Sequence, residues 1–191
     1  MDAASSTLEE AFLRALDILE RRKVAYAVIG GLAVNVHGFV RPTVAVDFLI
    51  LLPKVGIPGL FEEFMASGFS CDLMKAVREL SQDGFTAIAY RRVAVDLMMP
   101  VLPIYKEVLD RAKPSEVLGR SIGFIDAEGL LLLKMIAFRD EDRKDVKAVL
   151  AAQAGKLDLA WVRSRLDPLC TPADGKIAFW EEAVARYDPR T

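Results

Sequence analysis

Histidine and cysteine are scarce in this chain. His37 is the one histidine, so a metal centre built on several imidazoles is excluded. The two cysteines, Cys71 and Cys170, match no metal-ligand spacing and read as reduced thiols of a cytoplasmic protein. Long apolar runs are missing too. Phe48 to Leu52 and Gly129 to Leu133 are among the longest, and both are far too short to span a bilayer. No basic stretch followed by an apolar core opens the chain, so no secretion signal is expected. A surplus of one charge is also lacking. The net charge of −2 argues against a broadly basic nucleic-acid-binding protein, while leaving room for a local basic patch. Repeats and low-complexity segments are absent.

What is present is apolar material. Hydrophobic residues make up 53% of the 191 residues and charged residues 27%. That supports one substantial core, or a catalytic domain with a small helical appendage. Thr7 and Glu10 form a capping box, and Leu8, Phe12, Ala15, Leu16 and Leu19 recur at helical spacing to about Arg22. Val24 to Ile29 reads as a buried strand, Leu32 to His37 as a short helix stopped by Gly38, and Thr43 to Leu52 as a second strand halted by Pro53. Pro58 to Ser67 is helical. Phe69 to Met74, Thr86 to Tyr90 and Val93 to Met98 read as strands, the last two joined at Arg91-Arg92. Ile104 to Ala112 is helical, and Ile122 to Ile125 is one more short strand. Asp126 caps a helix reaching about Phe138, Asp140 to Ala152 continues the helical pattern, and Thr171-Pro172 starts a helix leading to Tyr187. Strands dominate the first two-thirds and helices the rest. The expected class is α/β (α+β), a small mixed sheet flanked by helices, with residues 1–115 as a catalytic core and 116–191 as a mainly helical C-terminal part. The break is placed near Lys113 to Arg120, where Pro, Ser and Gly cluster.

The segment from Val28 to Leu52, VIGGLAVNVHGFVRPTVAVDFLILL, carries the chemistry. It reads as strand, Gly30-Gly31 turn, short helix, loop and a strand bearing Asp47. Residues two apart on a strand point to one face, so positions 45 and 47 project together. A glycine turn without side chains lets backbone N–H groups approach a phosphate at a helix N-terminus. Asp96, in an apolar strand-like run, is a second acid whose burial is costly without a purpose. This spacing resembles the nucleotidyltransferase superfamily, in which a Gly-Gly or Gly-Ser turn precedes a strand with two acids one residue apart. Here Asp47 stands at the second acid position and Ala45 at the first.

The resemblance reaches further. Phe124 to Arg139, followed by Asp140 to Asp145, is similar to the later motifs of AbiEii-type nucleotidyltransferases of bacterial toxin–antitoxin and abortive-infection systems. Lys134, Ala137 and Arg139 match the first of these and Lys144 with Asp145 the second. The resemblance covers about Tyr26 to Leu150. It implies a nucleotidyltransferase fold and Mg²⁺-dependent transfer of a nucleoside monophosphate from an NTP to an acceptor, RNA or a tRNA 3′ end. It implies metal ligation by Asp47 and Asp96, with Ala45 leaving one ligand position of a two-metal site vacant. Asp96 would also serve as the base. Gly30, Gly31, Thr43, Lys134 and Arg139 would bind nucleotide, Lys134 at the triphosphate. Arg41 and Thr43 either line that pocket or stabilise the loop. Asp145 would be a structural or catalytic acid, and the partner a cognate antitoxin or toxin.

Plainer readings stand beside these. Lys134 snorkels from a helix. His37 caps or packs. Trp161 and Trp180 are core. Ala45 marks either a substitution that disarms an enzyme, favoured by the retention of Asp47 and Asp96, or a natural pseudoenzyme. The second case makes the chain a catalytically silent binding module or antitoxin-like regulator.

Overall fold

The structure is a computed structural model that describes residues 3–188. The chain divides into two compact units. Among the described residues, one holds 3–32 and 42–124, the other 33–41 and 125–188.

The first unit is built on a six-stranded mixed sheet. Its elements in chain order are α1 (Ala3–Arg21), β1 (Ala25–Val28), the start of α2 (Gly30–Val36), β2 (Ala45–Leu51), α3 (Ile57–Ala66), α4 (Leu73–Gln82), β3 (Phe85–Tyr90), β4 (Val93–Met98), α5 (Pro103–Asp110), β5 (Lys113–Val117) and β6 (Arg120–Phe124). The strand order is β3-β4-β2-β1-β6-β5. β2 pairs in parallel with β4 and antiparallel with β1, and β1 pairs in parallel with β6. β4 shows the alternation that a one-sided core imposes: Val93, Val95 and Leu97 are buried, while Ala94 is exposed and Asp96 and Met98 are half-buried. Helix α1 packs on β1, β2, β4 and α3. Its Phe12 stacks on Phe48 of β2, ring centroids 6.0 Å apart, and the edge of Tyr26 meets the same ring.

Most expected elements appear, and the departures have local causes. Helix α1 begins at Ala3, so Thr7 lies inside it and does not open it. The expected strand over Phe69–Met74 reduces to one isolated bridge, Ser70 to Ala89. The chain instead turns into α4, because the Asp72 side chain accepts the Lys75 N–H at 3.0 Å and caps a strongly amphipathic helix. The Pro, Ser and Gly cluster at 113–120 forms a β-hairpin. Leu118 and Gly119 both take positive φ, 53° and 72°, the geometry of a two-residue turn. Pro114 is tolerated there because β5 is the sheet edge.

The second unit is helical: α6 (Ala127–Ala137), α7 (Asp140–Ala152), α8 (Leu159–Leu166) and α9 (Lys176–Tyr187). α6 packs on α7 and α8, and α7 on α9. Leu130, Leu131, Met135, Val146, Val149, Leu150, Val162, Leu166 and Trp180 are buried, whereas Trp161 is half-buried. Asp126 caps α6, accepting the Gly129 N–H at 2.9 Å. Phe138 ends α6 in the left-handed conformation, φ 57°, and meets the edge of Phe179 at 5.4 Å. Helix α8 went unread in the sequence because its apolar periodicity is weak. Among the described residues, no helix is long and apolar enough to cross a membrane.

Candidate functional site

The residues singled out by sequence fall into two groups, one in each unit. In the first unit, β1 ends at Val28 and the Ile29 N–H donates to the Asp47 carbonyl at 2.9 Å. The chain is thereby held against β2 as it reaches Gly30. Gly30 takes φ +63°, and a Cβ there would come within 2.9 Å of the Asp47 Cβ and overlap the Asp47 carboxylate. Glycine is required twice over, by the backbone and by the neighbour. Gly31 lies buried in the first turn of α2.

Asp47 and Asp96 are register partners on the parallel pair β2–β4. Both therefore project from the same face, on strands ~5 Å apart. Both are half-buried acids in an otherwise apolar strand pair. Their face is lined with small residues: Ala45 and Ala94 pair one step along, Ala87 pairs with Asp96, and Ala89 with Ala94. Position 45 is on this face, two residues before Asp47, and contributes a methyl group. The Thr43 hydroxyl donates to the Ala45 carbonyl at 3.2 Å and so braces the start of β2.

The donor set here is oxygen only, which suits Mg²⁺. Two carboxylates side by side match what a magnesium site takes from protein when substrate phosphates complete the shell. A third acid does not join them: among the described residues, no group of three His, Cys, Asp or Glu side chains is placed to hold a metal. The chain's own residues thus fit one ion held with nucleotide better than two held independently.

In the second unit, Lys134 of α6 is only 8% exposed. Its Nζ donates to Asp142 Oδ1 at 2.9 Å and contacts Asp145 Oδ2 at 2.8 Å. Asp142 and Asp145 are 0% and 1% exposed and stand three residues apart on α7, so both face α6. Arg139 caps α7. Its backbone N–H and its Nε both reach Asp142 Oδ2, at 3.1 and 2.7 Å. Burial pushes the Asp142 carboxyl up, but the hydrogen bonds from Arg139 and Lys134 outweigh burial and hold it below the usual carboxylate range. Arg41 closes the network from the loop after α2, with Nε to Asp145 Oδ1 at 2.8 Å and Nη2 to Asp145 Oδ2 at 2.9 Å. The Asp145 carboxylate, with Glu141, holds Arg41 still more firmly protonated than usual.

Sequence reasoning placed Lys134, Arg139, Asp145 and Arg41 as separate candidates; the structure joins them in one network. Asp142 and Asn35 were missed. Asp142 sits in an acidic run that reads as a solvated helix start. The signal for it was Lys134 itself, since a lysine in an apolar helix needs a buried partner. Asn35 gave no signal: its amide bonds the backbone of Arg41 in both directions, a contact only the folded loop creates. His37 Nε2 lies 2.7 Å from the Ile125 carbonyl, within hydrogen-bond distance.

No curated protein matches the chain by sequence. Solved structures do match by shape. The chain is similar to an antigenic nucleotidyltransferase-like protein from Paracoccidioides brasiliensis, at 17% identity over 92% of this chain and 93% of that one, TM-score 0.50. It is similar to the lincosamide antibiotic adenylyltransferase LnuA in its lincomycin-bound form, at 15% identity over 75% of this chain and 97% of that one, TM-score 0.54. It is similar to the antibiotic-resistance factor ANT(2'')-Ia, at 12% identity over 88% and 94%, TM-score 0.54. At such identities the likeness is one of fold, and it bears out the expected nucleotidyltransferase architecture. Residues 8–171 match a family profile described as "Nucleotidyl transferase of unknown function (DUF2204)". With that match spanning most of its length, the chain belongs to this nucleotidyl transferase family.

Proposed function

We propose that this chain is built for nucleotidyl transfer: it moves a nucleoside monophosphate from an NTP to an acceptor hydroxyl. The observation that carries the reading is the in-register pair Asp47 and Asp96, on one open face beside the Gly30-Gly31 turn. An oxygen of the acceptor bonds to the α-phosphorus, the bond from that phosphorus to the β-phosphate bridge breaks, and pyrophosphate leaves. The Asp96 carboxylate takes the acceptor's proton. Bound Mg²⁺, held by Asp47 and Asp96, would supply charge stabilisation at the phosphates. Gly30 and Gly31 let the nucleotide's phosphates approach the backbone, and Thr43 fixes the start of the acid-bearing strand.

Ala45 sets the level of activity in this reading. The position shares the acids' face and supplies no ligand, so the chain as written transfers slowly. A natural pseudoenzyme that binds nucleotide without turnover is the second reading, and the same Ala45 favours it.

The acceptor is proposed to be RNA, with a tRNA 3′ end as the specific candidate. The support is the likeness of Lys134, Arg139, Lys144 and Asp145 to the AbiEii-type motifs, which also favours a role in a toxin–antitoxin pair. The fold likeness to LnuA, an adenylyltransferase solved with lincomycin bound, supports a small polyhydroxyl acceptor as the competing class. The separating experiment supplies the chain and its Ala45→Asp variant with Mg²⁺, each labelled NTP in turn, and either purified tRNA or a panel of small polyhydroxyl compounds. Label on tRNA supports the RNA reading. Label on a small molecule replaces it, and label on neither, with both proteins folded, leaves the silent module.

A further inference from the structure

We propose that Arg41 and Asp145 form a positioning clamp that holds the loop leading into the acid-bearing strand. The proposal rests on the nucleotidyl-transfer reading and gives it a part it lacks, namely what fixes the end of the 37–41 loop that leads to the acid-bearing strand.

Arg41 is pinned in two independent ways. Its guanidinium makes two roughly parallel hydrogen bonds to the buried Asp145 carboxylate, at 2.8 and 2.9 Å. This fork is the strongest side-chain geometry available for a carboxylate. Its backbone is held as tightly: the Arg41 N–H donates to Asn35 Oδ1 at 2.9 Å, and Asn35 Nδ2 donates to the Arg41 carbonyl at 3.0 Å. Asp145 is itself oriented by Lys134, which is shared with Asp142. The start of the loop has its own bonds: His37 Nε2 lies 2.7 Å from the Ile125 carbonyl, Gln153 Nε2 donates to the His37 carbonyl at 2.9 Å, and the Phe39 N–H donates to the Val34 carbonyl at 3.3 Å. Phe39 is exposed, Val40 is 84% exposed and Val44 83%. In the sequence, Pro42-Thr43-Val44 leads from Arg41 directly to Ala45 and Asp47. The apolar side chains of Phe39, Val40 and Val44 turn outward, so the end of the loop nearest β2 is tied down at Arg41 by its bonds to Asp145 and Asn35.

A buried ion pair is a poor device for stability alone, because desolvation offsets most of the attraction. A fixed loop conformation is what it supplies. A lysine at residue 41 would keep the charge and lose the fork, since Lys is a point charge on a flexible stem.

The test uses the full chain with Arg41→Lys and Asp145→Asn, read by hydrogen exchange and by affinity for a non-hydrolysable NTP analogue with Mg²⁺. In Arg41→Lys, amides of residues 37–41 exchange ~10-fold or more faster, while those of β1, β2 and β4 keep their protection. Analogue affinity falls ~10-fold or more, as expected when a positioning contact is lost. Arg41→Lys leaves Asp145 paired with Lys134, so it stays informative even if Asp145→Asn fails to fold. Unchanged exchange at 37–41 overturns the clamp. Faster exchange with unchanged affinity overturns its positioning role. A uniform loss of protection across the sheet reduces the pair to ordinary stabilisation and overturns the proposal as well. A wild-type chain that binds no analogue removes the nucleotide reading, while the exchange result still decides whether Arg41 and Asp145 order the loop.

Discussion

The Asp47 carboxylate occupies the space that a side chain at residue 30 would need. The glycine turn and the acid strand are therefore one constraint and not two motifs that happen to lie near each other. Gly30 also holds φ +63°, which a residue with a Cβ adopts at a cost.

Replacing Gly30 with alanine thus adds backbone strain to a steric clash. Gly30→Ala should lower unfolding free energy by about 2 kcal/mol or more, combining the left-handed penalty with overpacking. Urea unfolding measures this directly. A variant as stable as the parent would mean that Asp47 turns away freely, and the proposed link between turn and acid would be lost.

Lys134 bears on stability differently. It neutralises two carboxylates that are 0% and 1% exposed. Lys134→Met keeps the length of the side chain and removes its charge, leaving Asp142 to Arg139 and Asp145 to Arg41. The expected loss is about 3–5 kcal/mol, the range for breaking a buried pair from one side. Calorimetry or urea unfolding reads it. A loss below about 1 kcal/mol would place the ammonium on the surface.

Asp142 gives a pH dependence with a definite sign. Its folded-state pKa lies below the ordinary carboxylate value, since Arg139 and Lys134 together outweigh burial. A depressed pKa contributes stability above the unfolded value of about 3.9, and that contribution is lost as pH falls through the folded value. The stability gap between the parent and Asp142→Asn should therefore be widest near neutrality and shrink below about pH 4. A gap that stays constant across the acid range would show that the Asp142 charge contributes nothing.

Much of the candidate site was legible in the sequence because it is local. Gly30-Gly31, position 45 and Asp47 lie on one short segment whose strand and helix signals are strong, and Asp96 sits in a clean alternating strand. The pairing of Asp47 with Asp96 needed the fold, because register between two strands separated by α3, α4 and β3 leaves no trace in spacing. The Lys134 network was half legible. The helix carrying Lys134 and its Asp126 cap could be read from residues alone. That Asp142 and Asp145 both turn inward, and that Arg41 reaches Asp145 from far along the chain, depends on packing. Helix α4 was lost for a different reason: its apolar residues Leu73, Met74, Ala76, Val77 and Leu80 follow directly on Phe69 and Cys71, and the run looks like a strand until Asp72 is recognised as a cap.

The most direct test of the account is label transfer by Ala45→Asp. Residue 45 shares the face of Asp47 and Asp96, so an aspartate there puts three acids on one face. With Mg²⁺, labelled NTP and acceptor, Ala45→Asp should exceed the parent by about 100-fold or more, the scale of one electrostatic contact at a transition state. Adding Asp47→Asn to that variant should abolish the gain. If Ala45→Asp folds, binds Mg²⁺ and NTP, and still transfers nothing to any acceptor, the open face of β2 and β4 is not a nucleotidyl-transfer site.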